Sequence, residues 1–91
     1  MEKNKTYEVW RILAEKPSMN ECIHLGRIRD CKKYLEVVGA AYRDIGWKLI
    51  VTDRTLMVLP TIEEGVKYIY VITENVSGDV ELIWGLKCEE E

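Results

Sequence analysis

The sequence predicts an α+β fold: a mainly antiparallel sheet of five to six strands with one amphipathic helix packed on one face. Two patterns indicate it. A single segment repeats apolar residues every three or four positions, as a half-buried helix does. The other segments are short, rich in β-branched and aromatic residues, and separated by turn residues. The element order is β-β-α-β-β-β-β, and strands that follow one another directly favour hairpins and antiparallel pairing.

The length and composition fit one folded domain. The chain has 91 residues, of which 47% are hydrophobic and 32% charged, the balance of a globular protein. We expect residues 1–91 to form a single domain, with residues 1–5 and 88–91 flexible. The net charge of -3 is too small to indicate a class of partner.

The first two strands form a predicted hairpin. Tyr7 to Ala14 is rich in aromatic and β-branched residues. Pro17 lies in the turn that follows, because proline cannot continue a strand ladder. Glu21 to Ile28 alternates, which predicts a second strand with Ile23 and Leu25 on one face. Cys22 and His24 are then expected on the other face.

The helix is predicted over Cys31 to Ile45. Asp30 is the expected N-cap, since its carboxylate can accept backbone N–H groups of the first turn. Gly46 is the expected left-handed residue that ends the helix. Gly39 costs about 1 kcal/mol relative to alanine within the helix, and we interpret it as tolerated rather than as a close contact. The predicted apolar stripe consists of Cys31, Tyr34, Leu35, Val38, Ala41, Tyr42 and Ile45.

Four strands are predicted after the helix. Trp47 to Thr52 and Thr55 to Leu59 flank Asp53 and Arg54, which suggests a tight hairpin, although this pair is not a preferred turn. The last two predicted strands are Val66 to Thr73 and Val80 to Leu86.

Both faces of these strands are apolar, which predicts a second covering layer. If Thr52 pairs with Thr55, Leu49 and Val51 lie on one face while Ile50 and Met57 lie on the other. A helix of this length is a rod about 10 Å wide, whereas a sheet of this size is about 24–29 Å across, so we expect it to cover half the strands. Either the sheet closes on itself, or the uncovered face binds another chain as a homodimer or docking surface. The predicted interface residues are Ile50, Met57, Leu59, Tyr68, Tyr70 and Trp84.

A basic cluster at the start of the helix supports an alternative function. The start of a helix attracts anions, so this cluster is a candidate contact for a phosphate, a nucleic acid or an acidic partner. Its solvated-surface interpretation is the commoner one for such charge runs. The cluster consists of Arg27, Arg29, Lys32 and Lys33.

We expect no enzyme, no metal and no cofactor. Cys22 and His24 are two residues apart, a spacing that rarely aligns a catalytic dyad. Cys31 and Cys88 do not complete the paired cysteine spacing of structural zinc sites. The chain also lacks a phosphate-binding glycine loop and the common hydrolase motifs. A second alternative is a small-molecule pocket between helix and sheet.

The leading expectation is a non-enzymatic protein-binding module. In size, charge and lack of catalytic motifs the chain resembles the small accessory proteins of phages and mobile elements, and this resemblance implies a regulator or inhibitor of a host protein. An odd count of three cysteines, the polar residues that begin the chain and the absence of a long apolar run predict a cytoplasmic protein without membrane insertion.

Overall fold

The structure is a computed structural model, and it describes residues 5–74. Over that range one helix packs against a five-stranded antiparallel sheet, which confirms the predicted α+β fold. The predicted strand at Val80 to Leu86, with Trp84, lies outside the described residues. The elements are β1 (Tyr7–Leu13), β2 (Asn20–Gly26), α1 (Ile28–Asp44), β3 (Lys48–Val51), β4 (Thr55–Leu59) and β5 (Tyr68–Glu74).

The strands lie in the order β2-β1-β5-β4-β3, and all neighbours are antiparallel. The predicted hairpins β1–β2 and β3–β4 are confirmed. The two halves of the sheet meet where β1 pairs with β5, the strand most distant from it in the described sequence. In the sheet that residues 5–74 form, β5 is therefore central, and β2 and β3 are the edges.

The helix begins three residues before its predicted start. Arg27 is the N-cap, in extended conformation with φ -79° and ψ 164°, and no side chain caps the first turn. The prediction of Asp30 as N-cap is therefore wrong. Asp30 lies inside the first turn, where its negative charge interacts favourably with the positive end of the helix dipole. The predicted end is confirmed, because Gly46 has a φ of 91° directly after the C-cap Ile45.

The core lies between α1 and one face of the sheet. The helix of about 25 Å contacts all five strands, so the expectation that it covers only half of them is wrong. Most of the predicted stripe packs inward, but Ala41 and Ile45 are exposed. The buried core residues on this side are Val9, Cys31, Leu35, Leu56, Val58, Tyr70 and Ile72.

A β-bulge in β2 changes the predicted faces of that strand. Val9 lies opposite His24 and Trp10 opposite Cys22, so Ile23 has no opposite residue on β1. Ile23 packs against the core. Since an extra residue reverses the alternation, His24 lies on the helix side and Cys22 on the other. The prediction that Cys22 and His24 share a face is wrong.

The β3–β4 hairpin has the predicted register. The Thr52 N–H donates to the Thr55 carbonyl at 2.9 Å, with Asp53 and Arg54 between them. Val51 lies opposite Leu56, and the pairing continues to Lys48 opposite Leu59. The side chains of β3 and β4 therefore alternate between the two faces as expected.

The helix-free face of the sheet also contains buried residues. Trp10 is 1% exposed and Ile12 8%, and the register of β1 places both on the side away from α1. Glu8 lies on the same side, where its Oε1 accepts a hydrogen bond from the Trp10 indole N–H at 3.0 Å. This buried carboxylate therefore has a partner. Across residues 5–74, no helix combines the length and the apolar composition of a membrane span.

Candidate binding surface at the β3 edge

The structure divides the predicted interface residues between two faces of the sheet. Ile50, Met57 and Leu59 lie on the helix-free face, because Ile50 pairs with Met57 and Met57 with Ile69. Tyr68 and Tyr70 lie on the helix side, opposite Val58 and Leu56. The five residues therefore do not form one continuous surface, although each set does lie together.

Tyr70 is a core residue in this arrangement. It is 4% exposed, and its hydroxyl lies 2.9 Å from the hydroxyl of Tyr42 on the helix. Burial, and secondarily this hydrogen bond, raise the pKa of Tyr70 above its usual value of about 10. Tyr68 is only partly buried, and the Arg11 guanidinium lies 5.5 Å from its ring centre. Tyr70 therefore packs against the helix and Tyr68 lies beside Arg11, so the two tyrosines do not form an open apolar face.

Apolar exposure increases towards the β3 edge. On the helix-free face Leu59 is 7% exposed, Met57 is partly buried and Ile50 is 45% exposed. On the helix side Val51 is 66% exposed. Aliphatic side chains at an edge strand normally need a cover or a charge beside them. The exposed apolar surface at β3 therefore includes residues on both faces of one strand.

Among residues 5–74, no strand pairs with the outer side of β3. In an antiparallel pair, alternate residues exchange hydrogen bonds with the neighbouring strand. Because Thr52 bonds to Thr55, the residues of β3 that point towards β4 are Lys48 and Ile50. The backbone N–H and carbonyl groups of Leu49 and Val51 therefore point outwards, where a further strand could pair with them.

A groove runs beside this edge between β3 and α1. Its volume is about 420 Å³, and its apolar lining consists of Leu35, Leu49, Val51 and Leu56. Gly39 is the point at which the helix adds no side chain to the groove. A Cβ placed there would lie 3.5 Å from Leu49 Cδ1 and 3.7 Å from Leu56 Cδ1, which are ordinary contacts. The charged residues along it are Lys32, Glu36, Arg43 and Asp53.

One ion pair lies at the end of the groove next to the β3–β4 turn. Lys32 Nζ lies 3.0 Å from Asp53 Oδ1, and Arg54 approaches the other carboxylate oxygen at 3.9 Å. The hydrogen bond from Lys32 lowers the pKa of Asp53. Lys32, predicted as an anion contact, is thus engaged with a carboxylate of the same chain.

The remaining residues of the basic cluster lie at the start of α1. Arg27, Arg29 and Lys33 are all exposed. Arg27, Ile28, Arg29 and Asp30 line a shallow depression of about 320 Å³, so an acidic side chain lies among the basic ones. Asp30 therefore offsets part of the positive charge there.

The cysteines do not assemble a reactive site in the described range. Cys22 is exposed on the helix-free face, whereas Cys31 is fully buried on the inner side of the first turn of α1. Burial raises the pKa of the Cys31 thiol, which keeps it protonated and unreactive. Cys88 lies outside the described residues. Between residues 5 and 74, no three His, Cys, Asp or Glu side chains are grouped as a metal site would require.

The sequence predicted a pocket between helix and sheet only as a second alternative, and it did not indicate the role of Val51. Gly39 was the available signal, since an uncompensated glycine within a helix often marks a place where a side chain is missing for a reason. The helical and strand patterns of the sequence do not indicate how α1 is oriented relative to β3.

Trp10 lies on the helix-free face of the sheet, so it does not line a pocket between helix and sheet.

The chain matches no protein-family model, no curated protein and no solved structure. The function is therefore inferred from the β3 edge and its groove.

Proposed function

We propose that this protein is a non-enzymatic protein-binding module that acts as a small regulator or inhibitor of another protein. Its binding surface is the β3 edge together with the groove between α1 and β3. The observation that carries this proposal is the exposure of Ile50 and Val51, 45% and 66%, on a strand whose outer side has no neighbouring strand within residues 5–74.

The edge and the groove suit an extended segment of a protein. A strand that pairs with Leu49 and Val51 gains main-chain hydrogen bonds, and an apolar side chain of that strand can enter the adjacent groove. The proposed interface therefore contains fewer residues than the one predicted from the sequence. Leu59 is buried, so Ile50 and the newly recognised Val51 provide most of the exposed aliphatic surface at the β3 edge.

The charges along the groove favour this function over nucleic-acid binding. Lys32 and Arg43 are balanced by Glu36 and Asp53, and Lys32 is already paired with Asp53. Phosphate backbones require an excess of unpaired cations. The arrangement is better suited to a largely neutral polypeptide segment.

The proposal is tested by capture experiments with three immobilised forms of the full chain: wild type, Val51→Lys and Leu25→Lys. Lysine at position 51 places a charge at the β3 edge, where it blocks strand pairing. Leu25 is the matched control, because it is an aliphatic residue on the other edge strand with 57% exposure. Cell extract from the source organism supplies the partners, and the bound proteins are quantified by mass spectrometry.

We expect at least one protein to bind wild type and Leu25→Lys but to fall by about tenfold with Val51→Lys, a change of about 1.4 kcal/mol. This binding should persist in about 0.5 M salt, whereas phosphate-driven binding weakens steeply. Identical binding to all three forms would refute a role for the β3 edge. Salt-sensitive retention of nucleic acid alone would favour the alternative function.

A further inference from the structure

We propose that the partner of the β3 edge is a second copy of this chain, paired through antiparallel β3 strands about a two-fold axis at Ile50. This inference rests on the proposed function and specifies its partner. The result is a continuous sheet in which both helices lie on the same face.

The backbone pattern of β3 permits this pairing without rearrangement. Leu49 and Val51 carry the outward N–H and carbonyl groups, and they lie symmetrically on either side of Ile50. In an antiparallel pair about this centre, Leu49 of each copy exchanges backbone hydrogen bonds with Val51 of the other copy. Every outward group of the two residues then has a partner.

The side chains match in the same register. Leu49 meets Val51 of the second copy on the helix side, and Ile50 meets Ile50 on the helix-free face. Cross-strand aliphatic pairs of this kind stabilise a sheet. The two exposed aliphatic residues, Ile50 and Val51, both become covered by the pairing. The single charged residue of β3, Lys48, lies opposite the neutral Thr52 of the second copy.

The charge around the edge is compatible with self-association. The groove-lining side chains comprise two cations, Lys32 and Arg43, and two anions, Glu36 and Asp53. Like charges facing each other disfavour a symmetric interface. A surface whose charges balance imposes no net repulsion when it meets a copy of itself, whereas a highly charged partner would gain little from it.

The strand length sets the expected strength. β3 has four residues, so the shared surface is smaller than that of a permanent dimer. We therefore expect a reversible dimer with a dissociation constant of about 10 µM to about 1 mM. Sedimentation of the purified full chain from about 1 µM to about 1 mM covers this range. The average mass should rise from 10.6 kDa towards twice that value.

Val51→Pro is the variant that separates pairing from folding. The Val51 N–H points away from β4, so its removal costs none of the hydrogen bonds described between residues 5 and 74. It does remove a donor to the second copy. We expect the folded variant, verified by its circular dichroism, to remain monomeric across the concentration range.

A cross-linking experiment tests the register. Facing residues at a non-hydrogen-bonded antiparallel position have Cα atoms about 4.5 Å apart, within the range of a disulfide. In a background with Cys22→Ser and Cys88→Ser, Ile50→Cys should form a reducible dimer about tenfold faster than Leu25→Cys on the β2 edge. Equal rates would overturn the proposed register.

Amide exchange provides an internal control within one strand. The Leu49 and Val51 amides should exchange about tenfold more slowly in the concentrated dimer than in the dilute monomer. The Ile50 amide points towards β4 and should be protected at both concentrations. Protection of Leu49 and Val51 that does not depend on concentration would contradict the pairing.

The failures of the two proposals are distinguishable. A chain that stays monomeric at every concentration, but still loses a different captured protein with Val51→Lys, refutes the second copy and supports the proposed function. A monomeric chain with no Val51-dependent capture refutes both. Concentration-dependent dimers that Val51→Pro does not affect refute pairing through β3.

Discussion

The two edges of the sheet differ in how they meet solvent. β2 contains a bulge at Ile23, and the polar side chains at its start contact neighbouring residues. The Asn20 amide donates to the carbonyls of Pro17 and Ser18 at 3.0 and 3.3 Å, and Glu21 forms an ion pair with Arg11. β3 has a regular register and exposes Ile50 and Val51. The β2 edge is interrupted by a bulge and exposes one aliphatic side chain, Leu25, whereas the β3 edge is regular and exposes two adjacent ones.

The helix also packs differently against the two edge strands. Beside β2, the His24 ring stacks on Tyr34 with ring centres 4.5 Å apart. Ile23 packs against the core there. Beside β3, the helix contributes Gly39, which leaves an open groove. Natural sheets protect their edges with bulges and charged side chains. Among residues 5–74, the bulge and the helix contacts therefore protect β2 more than β3, which makes β3 the better candidate for pairing.

The largest effect in this comparison is expected from Ile23→Ala. The substitution removes the partly buried side chain that fixes the bulge against the core, and we expect a loss of about 1–3 kcal/mol of stability. Leu25→Ala, two residues further along β2, should change stability by less than about 0.5 kcal/mol because Leu25 is exposed. Urea unfolding of both variants measures the difference. Equal losses would show that the bulge is not held by Ile23.

The fold could be predicted wherever one residue pattern had a single interpretation. The β3–β4 hairpin followed from two strand-like segments separated by only Asp53 and Arg54, and the end of the helix followed from Gly46. The bulge could not be predicted, since Glu21 to Ile28 alternates as a regular strand would. The extra residue is revealed only by the pairing of β2 with β1.

The candidate site could be predicted only in part. Ile50 was identified because β3 is apolar on both faces. Tyr68 and Tyr70 were grouped with it because the pattern of an apolar strand does not indicate which face a helix covers. The early start of α1 was missed for a related reason. Ile28 is partly buried against the core, so its packing extends the helix past the capping signal at Asp30.

A smaller effect is expected from Tyr70→Phe, which tests the joint between α1 and the central strand. The loss of the hydroxyl pair with Tyr42 should cost about 1 kcal/mol at neutral pH. The raised pKa of Tyr70 means that its contribution is complete below the unfolded pKa of about 10 and is lost as pH rises further. The variant should therefore show a shallower loss of stability above about pH 10.

Tyr42→Phe is the control for this titration. It removes the same hydrogen bond but leaves the Tyr70 hydroxyl buried, and burial is the larger cause of the pKa shift. The loss of stability at alkaline pH should persist in this variant. Unfolding curves recorded at several pH values distinguish the two, and a wild-type profile for Tyr70→Phe would show that Tyr70 does not titrate with unfolding.

The smallest effect is expected from Gly39→Ala, and it has the opposite sign. Alanine is favoured over glycine in a helix by about 0.5–1 kcal/mol. The added methyl group would make ordinary contacts with Leu49 and Leu56, at 3.5 and 3.7 Å. We therefore expect a gain of about 0.5–1 kcal/mol in urea unfolding, with Ala40→Gly at the neighbouring exposed position losing a similar amount. A loss of stability with Gly39→Ala would mean that the helix and β3 require the glycine for close packing, and that the groove beside the open edge is narrower than its open volume indicates.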